Sequence, residues 1–113
     1  MLAFYRYISH PDEVKQVLEE RRLQSTNPRT GRATWYTAVR YDNPLVAQRE
    51  LALDRVPSHR IGPIPADQMP PFDIGPRDAA PLGDRPGGGL EARTKWPVWL
   101  SGLWDFGAKQ WLL

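Results

Sequence analysis

The residues of this chain best suited to chemistry are a carboxylate at position 91 and the three glycines just before it, Gly87, Gly88 and Gly89. Consecutive glycines relax the limits on φ and ψ, so the backbone can turn sharply or approach a ligand closely. Apolar and polar residues alternate from Leu90 to Thr94, which predicts the start of a half-buried strand with Glu91 next to the glycine turn. A carboxylate held there is suited to binding a sugar hydroxyl or stabilising a developing cation. The alternative is an ordinary hairpin turn and an edge strand with a solvated Glu91.

The second candidate is Arg6, which lies inside the apolar run from Leu2 to Ile8. The aromatic and aliphatic residues around it predict a central strand. An arginine in such a strand is costly to bury unless it meets an anion. Two interpretations remain open: Arg6 binds an anion inside the fold, or it lies on the solvent face.

A third group of candidates is the short β-prone run from Ala33 to Thr37, which contains Trp35 and Tyr36. Adjacent residues of a strand face opposite sides, so one of these two rings can enter the core. The other can then offer a flat surface to a planar ring of a ligand. From the sequence alone, core packing of both rings is the favoured interpretation.

Composition limits the classes of protein that remain. The chain has 113 residues, 41% of them hydrophobic, which suits one domain with one small core. Its 12 prolines and 9 glycines favour turns and short strands over a helical bundle. The net charge of +2 gives no sign of nucleic-acid binding. There is no cysteine, and His10 and His59 lie far apart, so we expect no disulfide, no thiol nucleophile and no metal site.

Targeting signals are not evident in the sequence. No apolar run approaches the roughly 20 residues that span a bilayer, so we expect no membrane partner. The N-terminus lacks the basic-then-apolar layout of a signal peptide and is interpreted as a strand from its first residue. We therefore expect a cytoplasmic module, or the active end of a protein that is exported by other means.

Two short helices are predicted to flank the strands. The first is capped by Ser9 in an approximate capping box with Asp12, and its apolar stripe consists of Val14, Val17, Leu18 and Leu23. The turn-rich segment 24–32 predicts an exposed, mobile loop. The second helix runs over 44–53 with Asn43 as its cap, and a further short strand follows at 57–62. His59 is expected to be a surface or loop residue, because nothing adjacent in sequence orients it as a base.

The C-terminal half is rich in proline, glycine and tryptophan. Seven prolines fall between positions 63 and 86, which predicts one long Pro/Gly-rich loop over 63–89, either ordered and functional or a disordered flap. The run 96–100 predicts an edge strand that ends at Ser101 and Gly102. The aromatic tail, 103–113, either closes the core or forms an exposed anchor for a partner. Together these elements predict a single α+β domain over residues 1–113, with a small mixed or antiparallel split β-sheet core and two short helices.

The order of these motifs resembles the ADP-ribosyltransferase superfamily, especially its small bacterial toxins. In that superfamily an arginine on the first strand, an aromatic with Ser or Thr on the second, and a late Glu or Gln build one NAD-binding cleft. The run Tyr5-Arg6-Tyr7-Ile8-Ser9 is similar to the first motif, and Thr34-Trp35-Tyr36-Thr37 is similar to the second. The stretch from Ala80 to Glu91 is similar to the late motif of the necrotizing-toxin NAD glycohydrolases, in which a Pro-Gly-Gly-Gly turn precedes a Gln.

The resemblance implies a function and a set of site residues. Glu91 and Arg6 would be catalytic, and NAD, as substrate, would contact Arg6, Tyr7, Ser9, Trp35, Tyr36 and Thr37, without a metal. The product would be ADP-ribose on a macromolecular acceptor, protein or nucleic acid. The chain would be a secreted or delivered bacterial effector that acts in a target-cell cytoplasm, and a dedicated immunity protein would inhibit it.

Departures from the family pattern leave alternatives open. Gly89 stands where arginine-modifying transferases carry a second acidic residue or Gln, and Glu91 stands where the necrotizing toxins have Gln. NAD hydrolysis, with water as acceptor, is therefore the close alternative to transfer. A protein-interaction module using the proline segment and Trp96, Trp99, Trp104 and Trp111 is the alternative from a different class, and an RNA-cleaving toxin using His59 is the third.

Overall fold

The computed structural model describes residues 2–31, 33–83, 85–100 and 102–113. Its helices are α1 (Pro11–Glu20) and α2 (Pro44–Glu50), with a 3-10 turn at Ala66–Gln68. Its strands are β1 (Ala3–Ile8), β2 (Arg22–Leu23), β3 (His59–Pro65), β4 (Phe72–Asp78), β5 (Leu90–Thr94), β6 (Val98–Trp99), β7 (Leu103–Asp105) and β8 (Gln110–Trp111). The strand order is β1-β3-β7-β8 in the main sheet, and β2-β6 and β4-β5 form two smaller ladders. The predicted α+β class, with split antiparallel sheets and two short helices, is confirmed.

The register of the main sheet separates a core face from a second face. Arg6 pairs with Ile61, and Ile61 pairs with Leu103, so these three side chains lie in one row across the sheet. All three are buried. The next row contains Tyr7, Arg60, Trp104 and Trp111, which face the opposite side. Arg6 therefore lies in a row of core residues. The interpretation that Arg6 lies on the solvent face is wrong, because the residue is buried.

The run that contains Trp35 joins the main sheet to the β4-β5 ladder. It forms isolated bridges rather than a continuous strand: Thr37 bridges to Tyr5 on β1, and Tyr36 bridges to Ala92 on β5. The backbone bonds between Tyr36 and Ala92 are 2.8 Å in both directions. The segment therefore lies between the strand that carries Arg6 and the strand that carries Glu91.

The two helices correct the predicted caps and lengths. The cap of α1 is His10, not Ser9: the His10 Nδ1 accepts a hydrogen bond from the Asp12 N–H at 3.2 Å, and Pro11 begins the helix. The predicted stripe is wrong at Leu18, which is exposed. It is also wrong at Leu23, which is buried on β2 after the helix has ended.

The second helix begins where predicted but is shorter than predicted. Asn43 caps it, with its Oδ1 accepting from the Leu45 N–H at 2.9 Å. It ends at Glu50 rather than at residue 53. Ala52 is in the left-handed region at φ 52°, which ends α-helical geometry there.

The segment 24–32 is not uniformly exposed. Asn27 is buried, and its Nδ2 donates to the Gln16 Oε1 at 3.0 Å. Its Oδ1 accepts from the backbone N–H groups of Arg29 and Thr30. The buried Asn27 side chain thus connects this turn-rich segment to α1. Arg32, the last residue of the predicted loop, lies outside the described residues.

The prediction of one irregular loop over 63–89 is wrong for its first half. Strand β3 extends to Pro65, and β4 covers Phe72–Asp78 and pairs with β5. Register shifts between Phe72 and Ile74 and between Ile74 and Arg77 interrupt the β4 ladder. Among the described residues β4 pairs with β5 alone, and an irregular strand that is paired on one side tolerates a proline such as Pro76. Residues 79–89 remain largely irregular, with Asp84 outside the described residues.

The C-terminal residues complete the main sheet. Strands β7 and β8 form its last two positions, and Leu103 is fully buried in the core. The predicted edge strand at 96–100 is present as β6, paired with β2, whereas Ser101 lies outside the described residues. The core cluster consists of Phe4, Ile8, Val17, Leu23, Tyr36, Ile61, Ile64, Val98 and Leu103. Within the described ranges, neither helix is long and apolar enough to cross a membrane.

Candidate functional site

A cleft of about 510 Å³ opens between β1, the 33–37 segment and the start of β5. Its volume is in the range of ordinary small-molecule sites, about 300–1,000 Å³. All seven predicted site residues line it: Arg6, Tyr7, Ser9, Trp35, Tyr36, Thr37 and Glu91. Residues 51–54 and 80–82 form the rest of its wall together with Glu13 and other neighbours. The structure thus brings together residues that are up to 85 positions apart, from Arg6 to Glu91.

Arg6 is held by a carboxylate of the protein itself. Its Nη2 and Nε both donate to the Glu13 Oε1, at 2.7 and 3.1 Å. Arg6 is 8% exposed and Glu13 is 2% exposed, so the pair is removed from bulk water. The two buried charges are tolerated because each one neutralises the other.

Glu13 is the site residue that sequence reasoning missed. Its position in the first turn of α1 predicts only a favourable interaction with the helix dipole. One signal was available: a buried arginine on β1 requires an anion, and Glu13 is one of the first two acidic residues after it in the chain. The seven-residue separation is closed by the turn from β1 into α1, which the sequence alone does not orient.

Glu91 is not a solvated side chain of an edge strand. Its side chain is 15% exposed, and its Oε1 lies 3.5 Å from the Arg77 Nε on the paired strand β4. Burial raises the pKa of the Glu91 carboxyl above its ordinary value, and the Arg77 guanidinium opposes that increase. A desolvated carboxylate beside a cleft interacts more strongly with a cationic ligand than one in water.

The two adjacent aromatics take different roles. Tyr36 is buried in the core, and burial raises the pKa of its hydroxyl. Trp35 is half-buried at the cleft, with the guanidinium carbons of Arg77 and Arg93 at 4.9 and 5.4 Å from its ring centroid. Tyr36 therefore packs in the core, whereas Trp35 does not, so the interpretation that both rings pack in the core is wrong for Trp35.

Three further predicted residues lie at the cleft with their polar groups largely used by the fold. The Tyr7 hydroxyl donates to the Val39 carbonyl at 3.2 Å and accepts from the Tyr41 N–H. Burial raises the pKa of Tyr7 to about 12. The Thr37 Oγ1 accepts from the Val39 N–H at 3.2 Å. Tyr7 and Thr37 therefore position the 37–41 segment, and Ser9 lies half-buried at the end of β1 on the cleft wall.

Both histidines contact neighbouring groups of the fold, and the prediction that His59 is a surface or loop residue is wrong, because it lies on strand β3. His10 caps α1, although it borders the cleft. His59 is half-buried on β3, with its Nδ1 2.7 Å from the Ser58 Oγ and its Nε2 3.6 Å from the Asp105 Oδ2. Burial lowers the pKa of His59, against the opposing effect of Asp105. Over the part of the chain that the structure describes, no group of three or more His, Cys, Asp or Glu is arranged to hold a metal ion.

Comparison with known proteins gives no family for the chain. No family model, no curated protein and no solved structure matches it. The resemblance to ADP-ribosyltransferases thus stays a prediction from the sequence motifs, and the functional inference depends on the geometry of the cleft.

Proposed function

We propose that this protein cleaves NAD at the nicotinamide–ribose bond and transfers ADP-ribose to a macromolecule, as an ADP-ribosyltransferase-like toxin domain. One observation carries the proposal: a single cleft is lined by Arg6, Trp35 and Glu91, which come from three separate segments of the chain. To cleave NAD, a protein needs side chains that bind the phosphates, the nicotinamide ring and the ribose.

Glu91 would act on the ribose. Loss of nicotinamide leaves positive charge on the ribosyl carbon, as in glycoside cleavage, and a fixed carboxylate stabilises that charge. Glu91 is the second residue of β5, just after the glycine turn, and its side chain lines the cleft. Its partly desolvated carboxylate suits the same role.

Trp35 would hold the nicotinamide ring. The Arg77 guanidinium lies over the Trp35 ring and beside the Glu91 carboxylate. The nicotinamide ring of NAD is also planar and cationic. An aromatic face next to a carboxylate is suited to either cation, with cation–π stabilisation of about 0.5–2 kcal/mol.

Arg6 would bind an oxygen of the pyrophosphate or ribose. Glu13 accepts from the Nε and Nη2 donors through one oxygen, and the Nη1 group of the planar fork would then be the donor offered to a ligand. Because Glu13 offsets its charge, Arg6 would contribute directional hydrogen bonds more than net attraction for phosphate.

Transfer and hydrolysis share all of these steps and differ only in the acceptor. We place a macromolecular acceptor first and NAD hydrolysis by water as the alternative. We further propose that the chain is a delivered or secreted effector acting in a target-cell cytoplasm and that a dedicated immunity protein blocks it. These assignments follow from the motif resemblance in the sequence.

A second candidate function rests on exposed tryptophans. Trp96 and Trp99 are 62% and 67% exposed beside and on the short strand β6. Such surface aromatics are enriched at protein interfaces, so a protein-interaction module remains the competing proposal. That module does not require Glu91, Arg6 and Trp35 to share one cleft.

The test is release of nicotinamide from NAD by the purified protein and by matched variants. Glu91→Gln removes the carboxylate charge with little change of shape, and Glu19→Gln makes the same change on the exposed face of α1 as the control. Arg6→Lys keeps a cation beside Glu13 but removes the planar fork. We expect release to fall strongly in Glu91→Gln and Arg6→Lys and to persist in Glu19→Gln.

Labelled NAD then separates the acceptors. Label on a lysate protein or nucleic acid means transfer, and free ADP-ribose means hydrolysis. Absence of release from folded protein, with and without lysate, would overturn the proposed function and favour the interaction module.

A further inference from the structure

A second cavity, of about 400 Å³, borders the other face of the main sheet. Three of its lining residues are basic, Arg40, Arg60 and Lys109, and three are aromatic, Trp104, Phe106 and Trp111. It shares no lining residue with the cleft described above. Any ligand of this cavity is thus separate from the proposed NAD site.

Arg60 is an incompletely paired cation in the wall of this cavity. The residue is only 3% exposed. Its guanidinium lies 5.9 Å from the Tyr5 ring centroid and 5.6 Å from that of Phe106. Its Nη1 donates to the Tyr41 carbonyl at 3.0 Å, but within the described residues its buried Nε has no hydrogen-bond partner. A buried cation that lacks one of its hydrogen bonds is stabilised by further negative charge nearby, so this arginine favours an anionic ligand in the cavity.

The charges around Arg60 favour the same class of ligand. Arg40 and Lys109 add two cations to the lining, against the single carboxylate of Asp42. The Asp42 Oδ1 accepts from the Arg40 Nε at 3.0 Å and from the Arg60 Nη1 at 3.2 Å. Asp42 itself is exposed, so a ligand anion with more acceptor oxygens can replace it at little desolvation cost.

The aromatic side of the cavity distinguishes a nucleotide from a simple anion. Trp104 and Trp111 form an edge-to-face pair, with ring centroids 5.2 Å apart and an interplanar angle of 67°. Trp111 is 49% exposed, which leaves ring surface for stacking. A carboxylate or free phosphate makes no use of this surface, whereas a nucleobase stacks on it while its phosphate reaches the basic residues.

We propose that this second cavity binds a nucleoside phosphate, with the base against Trp111 and the phosphate on Arg40, Arg60 and Lys109. Two sources share this chemistry, a free nucleotide and an unstacked nucleotide of single-stranded nucleic acid. The proposal does not depend on NAD cleavage, because the two cavities have separate walls.

Isothermal calorimetry on the full chain tests this proposal with AMP, a 5′-phosphorylated single-stranded oligonucleotide, adenosine and inorganic phosphate. We expect AMP to bind more tightly than either adenosine or phosphate. Equal affinity for AMP and the oligonucleotide identifies the free nucleotide as the ligand. Tighter binding of the oligonucleotide, weakening steeply with added salt, identifies single-stranded nucleic acid.

Variants locate the binding site. Trp111→Leu, and separately the double change Arg40→Gln with Lys109→Gln, should each weaken AMP binding by about tenfold or more, since base stacking and phosphate pairing each contribute on that scale. Trp99→Leu is the matched control for loss of an exposed indole. Arg6→Lys is the control for binding in the proposed NAD cleft, because Arg6 is the residue proposed to bind phosphate there. Both controls should leave AMP affinity unchanged.

Three results would overturn the inference. The first is phosphate or adenosine binding as tightly as AMP, which would remove the combined recognition of base and phosphate. The second is AMP binding that is lost in Arg6→Lys but retained in the cavity variants, which would place the nucleotide in the cleft. The third is no binding of AMP or oligonucleotide, or preferential binding of an acidic peptide, by folded protein.

Discussion

The buried pair of Arg6 and Glu13 gives the most quantitative prediction. Glu13→Ala removes the only carboxylate that the described residues place within hydrogen-bond distance of the Arg6 guanidinium. The arginine, 8% exposed, is then a nearly buried cation without a counter-charge. Loss of one partner from a buried ion pair costs about 3–5 kcal/mol, a large part of the roughly 5–15 kcal/mol by which such domains are stable.

Replacing both partners separates the cost of an orphaned charge from the value of the pair. The double variant Arg6→Met with Glu13→Leu removes both charges and keeps similar volumes. We expect its free energy of unfolding to be within about 1 kcal/mol of the parent or higher. Glu19→Gln disrupts the exposed pair with Arg29 and should cost less than about 1 kcal/mol.

Urea unfolding followed by circular dichroism measures all three variants, with similar m-values required for a valid comparison. The reasoning predicts that Glu13→Ala is the least stable and that the double variant recovers most of the loss. A cost below about 1 kcal/mol for Glu13→Ala would show that Arg6 is solvated or has another partner. A double variant no more stable than Glu13→Ala would show that packing, rather than charge, sets the cost.

Three further outcomes follow from the same structure. Gly87→Ala should lower the free energy of unfolding, measured in urea, more than Gly88→Ala does. Both glycines have positive φ, but of the two only Gly87 would bring an added Cβ against a backbone carbonyl. Equal losses of stability in the two variants would contradict this. His59 has a lowered pKa, so the unfolded state binds more protons. As the pH falls below the ordinary histidine value of 6.5, the unmodified protein should therefore lose stability relative to His59→Gln. A difference in stability that does not change with pH would refute this. Arg77→Ala removes the charge that opposes the rise in the Glu91 pKa, so the acid limb of nicotinamide release should move to higher pH. If the acid limb of the pH–rate profile stays at the same pH, ionisation of Glu91 does not control the reaction.

The local elements near the site were predictable because their patterns are short-range. The apolar run around Arg6 and the alternation after Gly89 were sufficient to predict β1 and β5. Strand alternation allowed Trp35 and Tyr36 to face opposite sides, but it did not show which of the two rings would enter the core. The cap of α1 was not predictable with the same certainty, since His10 and Ser9 both precede Pro11 and either side chain can accept a backbone hydrogen bond.

What the sequence could not give was the pairing between distant segments. The bridge between Tyr36 and Ala92 sets Glu91 at the cleft, and no local pattern specifies that register. Strand β4 was not predicted because Pro76 lies within it and Pro70 and Pro71 come just before it, although its irregular, two-stranded pairing tolerates a proline. Arg60 was likewise ordinary in sequence, and only the paired row with Trp104 shows it as a buried cation beside a cavity.

The most direct test of the central claim is the initial rate of nicotinamide release at a fixed NAD concentration by the parent, Glu91→Gln and Glu19→Gln proteins. If Glu91 stabilises the ribosyl cation, the loss of its charge should lower the rate by about 10²–10³-fold, the usual effect of removing one such electrostatic contact. Glu19→Gln should keep the parental rate. Equal rates in Glu91→Gln and the parent, or no release from either folded protein, would contradict the claim that this cleft cleaves NAD.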